Sequence, residues 1–260
     1  MPTVAKRQSR PAAARARLSL STVMELLEQA GSEQTRKTYR RHGAPEPLFG
    51  VSFATLKALL KQIGVDHELA LALWETGNYD ARNLALKIAD PAQMDAATLD
   101  RWARTGASRS CKDYVAALAG ESGHGRACAQ AWLGDAADAV RAIGWSMVGV
   151  LAMGDAGAGD EAFLTWLADI ERDIHAVGNG EREAMNLALI AIGSRNPALR
   201  VAAADAAHRI GKVQVDHGDT ACKTPDAASY IDKTWAHSLA KGYASPAEHE
   251  RAREPLRLRC

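Results

Sequence analysis

An all-α fold of stacked helices is what this sequence predicts, and three observations lead there. Apolar residues recur at helical spacing along most of the chain, in stretches that close repeatedly on glycine. Strand signals are nearly absent: aromatics make up 5% of residues, β-branched residues rarely alternate with polar ones, and glycines fall between helices rather than in hairpin turns. The third observation is an internal echo. Tyr79-Asp80-Ala81-Arg82-Asn83-Leu84-Ala85, Asp138-Ala139-Val140-Arg141-Ala142 and Pro197-Ala198-Leu199-Arg200-Val201-Ala202 share one layout. In each, a turn residue is followed by an arginine and then by an apolar helix with alanine at the packing positions. Short alanine-rich helices cannot bury their apolar faces alone, so they stack in series.

Taken in order, residues 1–17 carry Lys6, Arg7, Arg10, Arg15 and Arg17 without an acidic residue and read as a disordered basic tail. Ser21 to Gly31 is an amphipathic helix with Val23, Leu26 and Leu27 on its apolar side. Ser32-Glu33 restarts a helix that ends at His42-Gly43. Ser52 is the expected N-cap of the next, striped by Phe53, Leu56, Leu59, Leu60 and Ile63. Helices are then predicted over His67–Thr76, Ala81–Ala89, Asp95–Thr105, Lys112–Ala119, Arg126–Leu133, Ala136–Met153, Asp160–Leu167 and Ile170–Ala176.

The stretch from Glu181 to Trp235 supplies the last elements. Met185, Leu189 and Ile192 lie at helical spacing, and Gly193 stands where a left-handed cap is wanted. Asn196-Pro197 opens a helix with Leu199, Ala203, Ala206 and Ile210 on one stripe before Gly211. The polar segment Val213–Asp226 follows, with Thr224 as the expected N-cap and Pro225 as first residue of one more helix. Residues 243–260 read as a second basic tail.

The totals bound the function. With 260 residues, 47% apolar and 24% charged, one substantial soluble core is expected. A net charge of +1 confines any nucleic-acid surface to local patches. Cys111, Cys128, Cys222 and Cys260 form no CxxC pair, which fits reduced thiols in a cytoplasmic protein. No apolar run spans a bilayer and no signal peptide is visible. A monomer without membrane contact, cofactor or metal is expected.

The repeated layout resembles the second helix of HEAT repeats, in which helix pairs stack into a curved array. More specifically, Leu48-Phe49-Gly50-Val51-Ser52 with Leu56-Lys57, then Leu73-Trp74-Glu75-Thr76-Gly77 with Asp80-Ala81-Arg82, and the closing IGKVQVDHGDTACKTPDA are similar to the DNA alkylation repair family. That family contains the AlkD-type DNA glycosylases, and the resemblance runs from about Leu18 to Gly242. It implies a right-handed α-α superhelix of HEAT-like repeats over residues 18–242, with a concave face that binds duplex DNA. The activity it implies is excision of cationic alkylated purines. Cleaving that N-glycosidic bond develops positive charge on the sugar, so a nearby carboxylate stabilises the transition state.

Carried onto this chain, the family's cysteine falls on Cys111, and Lys112 takes the place of the catalytic aspartate that follows it. Asp113 comes one residue later, a rotation of about 100° on a helix. The family arginine falls near Trp145-Ser146-Met147, with Arg141 one turn earlier, and its second tryptophan falls on Leu187. Asp113, Arg141 and Trp145 are therefore the candidate catalytic residues, with Trp235 a further tryptophan to face a lesion. Candidate phosphate contacts are Arg36, Lys37, Arg40 and Arg41 around Tyr39, Arg109 and Lys112, and His217, Lys223 and Thr224 at the expected helix start. A metal site or a cysteine nucleophile at His217 and Cys222 is the weaker reading of that last segment. The competing function is a non-catalytic HEAT-like scaffold that binds DNA or protein.

Overall fold

The computed structural model describes residues 17–106 and 109–259, apart from the side chains of Arg109 and Ser110. Among these residues there are fourteen α-helices and no strand: α1 (Leu20–Ala30), α2 (Glu33–Arg41), α3 (Phe53–Ile63), α4 (His67–Glu75), α5 (Tyr79–Ile88), α6 (Ala96–Thr105), α7 (Arg109–Glu121), α8 (Gly125–Leu133), α9 (Asp138–Gly154), α10 (Asp160–Asp173), α11 (Asn179–Gly193), α12 (Pro197–Ile210), α13 (Ala227–Ala240) and α14 (Pro246–Arg251). Short 3-10 turns occupy Pro91–Gln93 and Leu256–Leu258. Helix starts follow local chemistry. Ser19, Ser32, Ser52, Asp66, Asn78, Asp95, Asn196, Asp226 and Ser245 each cap their helix by accepting a main-chain N–H from its first turn. Each such bond contributes about 1 kcal/mol.

The helices form two layers. Helices α3, α5, α7, α9, α11 and α13 pack in sequence as an inner layer, and α4, α6, α8, α10 and α12 back them. The repeated arginines fasten these layers. Arg82 lies over the Trp74 ring and donates to the Thr105 carbonyl at 2.7 Å. Arg141 donates to the carbonyls of Asp135 and Ala136, and Arg200 lies 5.0 Å from the centre of the Trp235 ring. Trp74 stacks on Trp102 with ring centres 4.2 Å apart, joining α4 to α6. The fully buried Asp80 accepts N–H groups from Phe49, Gly50 and Val51 at 2.7, 3.0 and 2.9 Å. That carboxylate pins the α2–α3 connection to α5 and sets Phe53 at the edge of the inner face.

Four expectations are corrected. The segments Asp160–Leu167 and Ile170–Ala176 are one helix, α10, because nothing between Leu167 and Ile170 breaks helical geometry. Gly193 is no left-handed cap. It lies inside the end of α11, where an added Cβ would meet Ile231 Cδ1 at 2.5 Å and Ala203 Cβ at 2.9 Å, so its role is the close approach of α12 and α13. Gly211, by contrast, does take φ +71° after α12. The helix after the polar segment starts at Ala227 with Asp226 as its cap, not at Thr224-Pro225, because the Asp226 carboxylate reaches the Ser229 N–H at 2.9 Å. Finally, residues 243–259, read as a basic tail beyond the repeats, form α14 and a 3-10 turn and return across the inner layer, with Arg257 only 4% exposed. The expected basic tail at residues 1–17 lies outside the described residues except for Arg17, whose guanidinium is 3.7 Å from Asp66.

Candidate functional site

Helices α7, α9 and α11 present their inner sides to an open cleft of about 1270 Å³. Small residues shape its floor. Gly120, Gly149, Ala188 and Ala191 line it, and a Cβ on Gly120 would strike Val150 Cγ1 at 2.6 Å. Above that floor, α7 contributes Asp113 and Tyr114, α9 contributes Trp145 and Ser146, and α11 contributes Leu187. Ser146 Oγ donates to Asp113 Oδ1 at 2.9 Å, so a half-buried carboxylate faces the cleft in a fixed orientation. Phe53 and His42 line the opposite edge.

The rim is charged in both signs. Arg126, Arg251, Arg253 and Arg259 line the cleft together with Asp113, Glu121, Asp155 and Glu250. Most of these pair: Arg126 with Asp155 at 2.8 Å, Arg253 with Glu250 at 3.3 Å, and Arg259 with Glu250. Burial pushes the Asp155 carboxyl up, but the Arg126 hydrogen bond, the Gly157 N–H and nearby arginine charge outweigh it and hold it below its ordinary 3.8.

The structure brings Asp113 and Trp145 together at the cleft and leaves Arg141 outside it. Arg141 instead binds Glu181 and Asp138, at 2.9 and 2.7 Å, and Glu181 also faces the Trp145 indole N–H at 3.4 Å. Hydrogen bonding to Glu181 raises the Arg141 pKa still further. Arg141, expected at the site, is thus engaged in fastening helices and lies outside the lining of the cleft. Trp235 is likewise a core residue, its indole N–H donating to the Gly193 carbonyl at 2.8 Å.

The phosphate candidates divide. Lys112 is 6% exposed with Nζ 3.6 Å from Glu183, so its charge is spent inside the protein rather than on a ligand. Arg36 and Arg40 are tied to Glu33 and Glu46, whereas Lys37 and Arg41 are exposed and make no ion pair among the described residues. Arg109's side chain lies outside the described residues. Thr224 is not a cap; its hydroxyl accepts from the Val215 N–H and hydrogen-bonds His217 Nε2 at 3.0 Å, which ties the polar segment to itself. The anionic cap Asp226, held below its ordinary 3.8 by the Ser229 hydroxyl and N–H, already occupies that helix start. Lys223 is exposed beside it, and Cys222 lines the cleft mouth.

Reading the sequence missed Phe53, Tyr114 and much of the 250–259 segment as parts of the cleft. The signal for the last was present. Glu250 and Glu254 stand among Arg251, Arg253, Arg257 and Arg259, and such interleaved charges of both signs favour self-pairing over a solvated basic tail.

Comparison with known proteins places these features. The family model described as DNA alkylation repair enzyme matches residues 23–231. The chain is 28% identical over 222 residues to an uncharacterized protein of Listeria monocytogenes serovar 1/2a, covering 82% of this chain and 95% of that one. An uncharacterized protein of Listeria innocua serovar 6a matches to the same extent. A solved structure described as a new family of proteins related to the HEAT-like repeat DNA glycosylases, with affinity for branched DNA structures, superposes with a TM-score of 0.77. It is 30% identical and covers 87% of this chain and 96% of its own.

Proposed function

The chain belongs to the DNA alkylation repair family, and we propose that it is a DNA-binding member that holds branched DNA on its concave face without excising a base. The observation that carries the second half is Lys112. Where the resemblance puts the catalytic aspartate, this chain has an ammonium buried against Glu183. No carboxylate on that side chain is available to stabilise a departing sugar cation. Affinity for branched DNA belongs to the structural relative and is extended to this chain by likeness.

The dimensions of the cleft support the same reading. Pockets of roughly 300–1,000 Å³ hold small ligands, and this cleft is only somewhat larger, at about 1270 Å³. It suits a splayed strand or an unstacked nucleotide, with the half-buried rings of Phe53 and Tyr114 as stacking surfaces. Arg41 ends α2 next to His42, which itself lines the cleft, and Lys37 lies one turn earlier, so phosphates approaching that edge meet uncompensated cations.

One observation favours a second reading, excision through Asp113. Its carboxylate does face the cleft beside Trp145, fixed by Ser146. The two readings separate in one set of measurements. Wild type is incubated with duplex DNA carrying 7-methylguanine, and abasic sites are quantified; binding to a four-way junction and to plain duplex is titrated against salt. The proposal expects no abasic sites above background and tighter binding to the junction, with affinity falling steeply as salt rises. Abasic sites that disappear in Asp113→Asn would establish excision instead. A flat salt response removes DNA as the ligand under either reading.

A further inference from the structure

The segment that follows α14 has no role in the function proposed so far, yet it forms one wall of the cleft. From α13 the chain turns through α14, runs along α9, and ends its described course against α7 and α5, crossing the inner layer in reverse order. Residues 251–256 are exposed along this path, and the hold at its far end is almost entirely polar. Arg257 donates to the carbonyls of Leu86 and Lys87 at 3.1 and 2.8 Å and pairs with Glu121 at 2.9 Å. In return, Lys87 Nζ donates to the carbonyls of Arg257 and Arg259 at 2.7 and 3.1 Å.

Lys87 is the informative residue. It is fully buried on α5, and its ammonium lies 4.5 Å from the Tyr114 ring centre and 6.0 Å from that of Phe53, two rings of the cleft wall. A buried ammonium is unfavourable unless oxygen atoms surround it. Here two of those oxygens come from a segment about 170 positions away that contributes little apolar burial of its own, Leu256 being 40% exposed. The Nε atom of Arg259, in the same segment, is buried without a hydrogen-bond partner. A hold built of charge-assisted hydrogen bonds is one that a polyanion competes with directly, because phosphate oxygens offer an ammonium and a guanidinium the same acceptors with more charge.

We infer that residues 252–259 are a latch over the concave face, occupying a phosphate site at Lys87 and released when DNA enters. Release uncovers the Lys87 ammonium next to Phe53 and Tyr114 and frees Arg259 for phosphate contact. The inference rests on the proposed DNA reading and adds to it a location for the backbone phosphate and an internal competitor for that location.

The test uses the full chain and a synthetic four-way DNA junction, with hydrogen exchange and a binding titration as readouts. Arg257→Gln removes the ion pair and the two bonds to α5. Glu121→Gln, the milder variant, breaks only the ion pair and serves if the first fails to melt cooperatively. With junction bound to wild type, amide exchange over residues 252–259 should rise while α7 and α9 become protected. The variants should bind junction at least about fivefold tighter than wild type, the low end of ordinary coupling between two binding events. Exchange that stays unchanged or slows over 252–259 while junction is bound, or variants that bind no more tightly, makes the segment a fixed clasp and overturns the inference, leaving the DNA reading standing. If neither wild type nor variants bind junction, the DNA reading falls and takes the latch with it.

Discussion

Two buried lysines on neighbouring inner helices show how the same residue type is handled in opposite ways. Lys112 on α7 pairs with Glu183 on α11, so both partners belong to the helical array itself. Lys87 on α5 is satisfied in part by carbonyls of a crossing segment that is itself largely exposed. The first pair is as permanent as the packing of α7 against α11 through α9. The second lasts only as long as the segment stays in place. Burial alone therefore does not distinguish the two charges; what neutralises them does, helix against helix in one case and a largely exposed crossing segment in the other.

The largest effect that sharpens this contrast is expected at the permanent pair. Glu183→Gln leaves the Lys112 ammonium buried without its carboxylate and should cost about 3 to 5 kcal/mol in urea denaturation. Replacing both residues, Lys112→Met with Glu183→Leu, should recover most of that loss, because a matched apolar pair removes the desolvation cost along with the attraction. A single variant as stable as wild type would mean that Lys112 reaches solvent, and the argument against an aspartate-like role at that position would weaken.

At the second lysine, Lys87→Met should cost less, about 2 kcal/mol, since it removes the buried charge itself and leaves only two neutral carbonyls without their donor. Its distinguishing readout is local. Exchange should rise over residues 252–259 in Lys87→Met and stay unchanged there in Glu183→Gln, whatever the global stability of each. Equal exchange in both variants would erase the distinction between the two lysines.

Much of the array was legible from residue patterns because repeat stacking is a local matter. Serine, aspartate and asparagine caps, apolar stripes and a glycine such as Gly211 all act within one turn of themselves. What escaped depended on partners far along the chain. Lys112 follows a cysteine just where the family resemblance seats an aspartate, and nothing local says that Glu183, 71 positions on, turns it inward. The echo arginines were visible as a pattern, but Arg141 was read as a site residue because its partner Glu181 is 40 positions distant. The 243–259 segment looked like a tail for the same reason: Arg257 finds its acceptors on α5 and its counterion at Glu121.

A smaller effect tests whether the polar segment before α13 holds phosphate. Asp226→Ala removes the cap of α13 and should cost about 1 kcal/mol. The folded state holds this carboxyl below its ordinary 3.8, so the stabilisation is present above that pH and is lost as pH falls beneath it; wild type and variant should converge in acid. If the segment were a phosphate site, removing this negative charge would strengthen junction binding. The self-contained hydrogen bonding of Thr224 and His217 leads us to expect no change in affinity.

The smallest effect concerns the base of the crossing segment, where His249 of α14 stacks on Tyr243 with ring centres 4.3 Å apart and lies 5.6 Å from the His237 ring. Desolvation lowers its pKa from the ordinary 6.5, and the charges of His237, Arg253 and Lys241 add to this while Glu250 opposes it. A base with a depressed pKa stabilises the fold in its neutral form, so the contribution is intact above about 6.5 and is lost as pH falls through the window below it. Hydrogen exchange over residues 246–259, corrected for its intrinsic pH dependence, should therefore rise slightly between about pH 7.5 and about pH 5.5. His249→Gln should flatten that rise, while exchange around Lys112 should show no pH dependence of this origin in either protein. A response of the same size over residues 246–259 and around Lys112 would mean that acid loosens the array as a whole, and the crossing segment would lose its claim to be separately held.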